Sequence, residues 1–245
     1  GPVTLRFVYA GYNELQRTVN VPWQDWRVAP TVVMTPEPSV AMLPPAGDGK
    51  IYDDSTVWQM RMSGASPRRF ALLVPPGTRV RRPDGSFVGS WQAGHLEYTV
   101  DGPFGPLQMP GTLPPTSAYT YADEWTVNPS TTMGAIHDTS FTNSAGDPST
   151  VSIYVEAIVD IPAGQDVPTG YYDRVLGHWA PQPNGRVLHI LGPGGTDSLD
   201  IDVNGDGIFN GTDQSLYTTI GLTEPEVVAL RAAYGTGARK VWRVQ

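Results

Sequence analysis

Apolar residues in this chain alternate in short runs that a proline or glycine soon ends. "VTLRFVYA" places Val3, Leu5, Phe7 and Tyr9 on one side of an extended segment, the two-residue period of a strand with one buried face. The pattern returns in RTVNVPW, stopped by Pro22, and in TVVM, strand-like until Pro36. It returns again in TVWQMRM (56–62), RRFALLVPPG, LEYTV and AYTYADEWTV, and STVSIYVEAIVDI (149–161) is the longest run. YYDRVLGHW and RVLHIL follow. Pro83-Asp84-Gly85 reads as a hairpin turn, and Asn184-Gly185 as the turn into RVLHIL. With 27 glycines and 24 prolines among 245 residues, a chain so punctuated has many turns and few long helices.

Helix is expected only near the end. Asp213 to Thr219 reads as one short helix. TEPEVVALRAAYG (223–235) has Thr223 as N-cap, Glu226 three residues on, proline in the first turn and Gly235 as the stop, a capping-box start and a glycine end. Val227, Leu230, Arg231 and Tyr234 fall on one face of it, and ARKVWRV is expected to return as a final strand. The expected fold is therefore mainly β: an immunoglobulin-like or jelly-roll-type antiparallel sandwich over 1–191, with a small appendage over 192–245. The boundary is expected in LGPGGT, Leu191 to Thr196.

The appendage carries the strongest chemistry. In DVNGDGIFNGTD, counting Asp202 as position 1, Asp202, Asn204, Asp206, Ile208, Asn210 and Asp213 fall at positions 1, 3, 5, 7, 9 and 12, with Gly207 at 6. That is the spacing of an EF-hand-type calcium loop. A hard cation needs about six to eight oxygens. Alternate short side chains of a tight loop supply them, Gly207 permits the sharp turn, and Ile208 offers its backbone carbonyl. Position 12 is usually Glu, and here it is Asp. With that departure the stretch resembles one repeat of a type I dockerin, which implies calcium and a following helix without an entering one. Dockerins normally have two repeats. No second loop follows Asp213, so cohesin binding is not implied.

Charge favours the ion. Between Val187 and Leu230 there is no Lys or Arg, while Asp197, Asp200, Asp202, Asp206, Asp213, Glu224 and Glu226 lie there. Carboxylates this close repel one another, and a divalent cation cancels that cost. Folding of the segment is then expected to depend on calcium. A loop with few carboxylates binds weakly and suits the millimolar calcium outside cells. The chain has no Cys, so a secreted protein of this kind has no disulfides, and its core, its metal or an assembly must stabilise it.

VEAIVDIPAGQDVPTGYYDRVLGHW (155–179) resembles the closing strands of spore-coat-U-type pilin domains. It shares their strand, a Pro-x-Gly-Gln turn and a small-Gly-x-Tyr-x-Asp turn into another strand. The resemblance implies an immunoglobulin-like sandwich assembled by donor-strand complementation through a chaperone and usher. That family usually has cysteines and ends soon after this strand, whereas this chain has none and continues to Gln245.

Catalytic signatures are missing. There is no G-x-S-x-G, P-loop or G-x-G-x-x-G pattern, and GPGG at 192–195 lacks a following helix and Lys. His95, His137, His178 and His189 show no zinc spacing. His137-Asp138 with Ser140 nearby is an adjacency in sequence and not a triad. Asp123-Glu124 beside Trp125, and Glu156, are the carboxylates a glycosidase would need. No catalytic residue is expected. Seven tryptophans (Trp23, Trp26, Trp58, Trp91, Trp125, Trp179, Trp242) serve core packing more often than sugar stacking. Trp23 and Trp26, beside Pro22 in a loop, are the surface candidates. Arg61, Arg68, Arg69, Arg79, Arg81 and Arg82 fall in a stretch without an acid. They read as a solvated hairpin, or as a basic contact for the acidic calcium module or for an anionic polysaccharide.

The net charge of −8 argues against nucleic acid as the main partner, and no membrane-inserted segment or signal peptide is seen. Gly1-Pro2 reads either as a mature terminus left by processing or as the scar of a tag-removing protease. The expected protein is a secreted structural subunit of an extracellular filament, pilus or surface assembly. It would be stabilised by Ca2+ and would self-associate into a homopolymer, with Val3–Tyr9 as donor strand. The alternative is an adhesive or carbohydrate-binding module at a cell or virion surface, and after it a glycoside hydrolase.

Overall fold

The computed structural model describes residues 1–37, 51–53, 70–75, 77–88, 91–98, 104–114, 121–129, 139–157, 159–194, 199–234 and 237–245. Among them the protein is mainly β and built of several antiparallel sheets. The first sheet is the pair β1 (Pro2–Phe7) and β2 (Leu15–Asn20), in register from Pro2 opposite Asn20 to Phe7 opposite Leu15. The largest sheet has seven strands. They are β3 (Ile51–Asp53), β4 (Phe70–Leu73), β10 (Ser152–Glu156), β11 (Asp166–Asp173), β12 (His178–Pro193), β13 (Leu199–Asp202) and β14 (Arg239–Val244). Their order is β11-β12-β14-β10-β4-β3, with β13 also paired to β12. A three-stranded sheet joins β5 (Arg79–Arg81), β6 (Phe87–Val88) and β9 (Ser140–Thr142), and β7 (Trp91–Glu97) pairs with β8 (Asp123–Pro129).

The two-residue period explains both faces of the large sheet. On one face Ala71, Leu73, Tyr154, Leu188, Ile190 and Val241 form a core with Leu199, Ile201, Val203 and Leu222. Helix α3 (Glu224–Tyr234) covers that core with Val227, Leu230 and Tyr234. Burying each such side chain stabilises by about 1.5–3 kcal/mol. On the other face Leu72 and Val74 meet Val80, Val88, Trp91, Ala93 and Val127 from the smaller sheets.

Helix α2 (Gly211–Thr219) follows the acidic loop, and α3 starts one residue after Thr223 as its capping pattern predicts. A further four-residue helix, α1 (Gly105–Gln108), with Pro106 in its first turn, corrects the expectation of helix only near the end. Two further expectations are corrected. TVVM up to Pro36 forms no strand. It is tied down by single contacts, Asn13 N to Thr35 O at 2.9 Å and Val33 N to Leu107 O at 3.1 Å. Asn184-Gly185 is no turn, because β12 runs straight through it. Gly185 lies there because β14 passes close: a Cβ would meet the Arg243 carbonyl oxygen at 2.9 Å.

The strand expected over 56–62 lies outside the described residues. The boundary expected at 191/192 falls within β12, and β14, from the far side of it, lies between β10 and β12. No helix among the described residues is long and apolar enough to cross a membrane.

Candidate calcium site

The acidic loop is held at both ends by core residues. β13 alternates Leu199 and Ile201 into the core and ends on Asp202, and Val203 is fully buried behind it. Past the loop, Leu216, Tyr217 and Ile220 of the α2 segment pack on the same core. Between these anchors the chain turns at Gly205 (φ +86°) and Gly207 (φ +84°), backbone that glycine adopts without a Cβ penalty.

Inside the turn the polar side chains satisfy the loop's own amides. Asp202 accepts from Gly205 N at 2.6 Å and Gly207 N at 2.9 Å. Asp213 accepts from Val203 N at 2.8 Å, Asn204 N at 3.3 Å and Asn210 N at 3.0 Å. Asn210 is the N-cap of α2, accepting from Thr212 N at 2.7 Å, and with Asp213 it forms a capping box. Asn204 Nδ2 and Asn210 Nδ2 both donate to Asp206 Oδ2, at 3.1 and 3.3 Å. The structure thus brings Asn204, Asp206 and Asn210 together at one point, with Asp202 and Asp213 bound to the backbone that surrounds it. Ile208 turns its side chain outward and donates its N–H to Asp206. That bond, with those from the two asparagines, lowers the Asp206 carboxyl below its usual value.

Burial makes the charge costly. Asp202 and Asp213 are 1% and 0% exposed, and among the described residues no Lys or Arg bridges to either, or to Asp206. Arg186 donates instead to the Val203 carbonyl at 3.3 Å and pairs with Asp166 at 3.0 Å. No three His, Cys, Asp or Glu side chains among the described residues gather into a cage by themselves. An ion here needs the mixed set: carboxylates of Asp202, Asp206 and Asp213, amide oxygens of Asn204 and Asn210, and the Ile208 carbonyl. The donors fit a hard oxygen-seeking cation. It would take the place of the amide N–H groups that face Asp206, and the amides would turn their oxygens inward.

Two supports of this loop were not foreseen from the sequence. The turn at Ala163-Gly164 lies backbone to backbone on it. A Cβ at Gly164 would meet Asn204 O at 2.7 Å, and one at Gly205 would meet Ala163 O at 2.3 Å. Gly164 N donates to Val187 O at 2.9 Å, which fastens the turn to β12. A glycine in a turn shows in sequence, but the backbone that approaches it does not.

The second support lies at the other end of α2. Arg243 of β14 donates to the carbonyls of Ile220 and Gly221 at 2.8 and 3.0 Å, where the helix leaves its last carbonyls unpaired. The same guanidinium bonds Glu226 of α3 and the Tyr154 hydroxyl of β10. Tyr154 in turn donates to Glu226. Burial lowers the Arg243 guanidinium, but Tyr154 and Glu226 outweigh it and raise it overall. Burial, then Glu226, pushes the Tyr154 hydroxyl well up.

The other residues singled out in sequence lie apart from this loop. Asp123 accepts from Trp125 Nε1 at 2.6 Å and lies 3.3 Å from His95 Nε2. Glu124 accepts from Tyr98 and Arg174, and Glu156 lies 3.6 Å from Arg239. Arg79 sits over the Phe87 ring at 3.8 Å, Arg81 donates to Gly85 O, and Arg82 donates to Phe87 O. These three arginines are thus engaged by their own hairpin. Arg61, Arg68, Arg69, Trp58, His137 and Asp138 fall outside the described residues. Trp91 and Trp242 are buried, Trp125 and Trp179 half-buried, and Trp23 and Trp26 exposed.

No family model matches the chain, and neither a curated protein nor a solved structure matches it.

Proposed function

We propose that this protein is a calcium-stabilised structural subunit of an extracellular filament, pilus or surface assembly, on an immunoglobulin-like or jelly-roll-type sandwich. The observation that carries the reading is the pair of carboxylates Asp202 and Asp213, buried without a bridging Lys or Arg among the described residues. Backbone N–H groups bond both carboxylates, and calcium at extracellular concentration adds the countercharge that those neutral donors do not carry. The ion's role is structural: it fixes the loop that carries α2, and α2 is bonded through Arg243 to the centre of the large sheet.

Self-association draws support from β1. This strand pairs with β2 of its own chain, and its other edge has no partner strand among the described residues. Val3 is 45% exposed, while Leu5 and Phe7 are half-buried. In this reading β1 meets a neighbour through that outer edge while keeping β2, a form of β-augmentation.

Analytical ultracentrifugation of one sample, with calcium and with excess chelator, tests the reading. Large species with calcium and small ones with chelator are expected. A monomer in both, at high protein concentration, overturns the filament role.

A further inference from the structure

We propose that the turn Pro22–Trp26 is a saccharide-binding platform in which the indoles of Trp23 and Trp26 stack on sugar rings. Trp23 is 89% and Trp26 75% exposed, and every residue from Trp23 to Val28 is exposed. Val28 beside them is 77% exposed, and apolar surface gathered in one place, unlike a single exposed side chain, marks interaction sites.

The backbone holds them there at a cost. Gln24, between the two, is the only described non-glycine residue with positive φ, at +57°. Such a conformation persists where its surroundings impose it, and it concentrates at binding sites. Asp25 N donates to Pro22 O at 3.4 Å and Trp26 N to Asp25 Oδ1 at 2.8 Å, which closes the turn. The flanks are also fixed. Val21 N donates to Gly1 O at 2.9 Å, at the end of the β1–β2 pair, and Val33 N reaches Leu107 O at 3.1 Å beside α1. The indoles are thus presented on a loop whose backbone is anchored at both ends.

The chemistry around them selects the ligand. The run Trp-Gln-Asp-Trp-Arg interleaves the rings with an amide, a carboxylate and a guanidinium. A pyranose presents an apolar C–H face ringed by hydroxyls that both donate and accept, which is the complement of that run. Asp25 and Arg27 leave the run Trp23–Arg27 without net charge, so the sugar is a neutral one. A bilayer surface is the poorer fit. Interfacial tryptophans bind membranes together with clustered Lys and Arg, and the run Trp23–Arg27 has a single Arg in a chain of net charge −8. The site stands whether or not the chain polymerises.

The test is retention of the full chain, in calcium, on insoluble cellulose, on chitin, and on immobilised mannan and galactan. Vesicles of phosphatidylcholine, with and without phosphatidylglycerol, run in parallel. Trp23→Ala and Trp26→Ala remove exposed side chains, and circular dichroism is to be used to check that both variants fold. Retention on at least one polysaccharide, weakened roughly tenfold by each substitution and quenched for the indoles by soluble oligomers of that sugar, is expected. Retention that survives both substitutions overturns the platform. So does retention on none of the four, or binding to vesicles alone.

Discussion

Arg243 and Glu226 meet as a two-pronged ion pair, Nε to Oε1 at 3.0 Å and Nη2 to Oε2 at 3.2 Å, with both side chains 4% exposed. Removing one partner leaves the other charged, buried and unpaired. Arg243→Ala should therefore cost about 3–5 kcal/mol, read as a lowered urea midpoint. Replacing both, as Arg243→Met with Glu226→Leu, should recover part of that loss. If the double variant is less stable than Arg243→Ala, the pair is not what holds the three elements together.

Calcium should raise the melting temperature, and chelator should lower it. An ion present at about 100 times its dissociation constant adds roughly 2.7 kcal/mol. Asp202→Ala with Asp206→Ala should erase the difference and speed hydrogen exchange over 199–234. Identical melting of the unmodified protein with and without chelator contradicts the calcium site.

Gly205 and Gly207 offer an internal comparison. Both have positive φ, so alanine strains either by about 1–2 kcal/mol. Only at Gly205 does a Cβ also meet backbone, Ala163 O at 2.3 Å, whereas at Gly207 nothing lies within 4 Å. Gly205→Ala should be the more destabilising and should weaken calcium binding in titration calorimetry. Equal effects would mean that the Ala163-Gly164 turn does not brace the loop.

Glu14 should make the protein acid-sensitive. Burial pushes its carboxyl up, but bonds from Arg6 and Gln16 outweigh this and hold it below the usual range. A lowered pKa in the fold means that folding favours the charged form. The stability it contributes is present above the unfolded glutamate value of about 4.3 and is lost as pH falls through the lower folded value. The denaturation midpoint of Glu14→Gln, followed from pH 6 to pH 2 as an assay range, should fall less steeply than that of the unmodified chain. Parallel curves would remove Glu14 as the cause.

What the sequence makes legible is what lies close along it. The contacts inside the acidic loop can be read because their partners are near neighbours: Asn204 and Asn210 both donate to Asp206, two and four residues away. Helix α3 can be read because its cap, Thr223 with Glu226, and its buried stripe, Val227, Leu230 and Tyr234, are a few residues apart. Strand pairing across long separations leaves no such mark. Nothing in ARKVWRV says that it will lie between β10 and β12, and Gly185 looks like a turn residue until β14 is seen passing over it. The same limit hid Arg243, whose partners Tyr154, Ile220 and Glu226 come from three separate elements.

The place of β14 also sets an order in time. Tyr154 of β10 and Leu188 of β12 have long been synthesised before residues 239–244 exist, yet β10 and β12 do not pair with each other directly. Of the described strands, the one that joins them comes last along the sequence. Until residues 239–244 have been made the large sheet cannot close, and the shorter chain exposes two unfilled edges that invite aggregation.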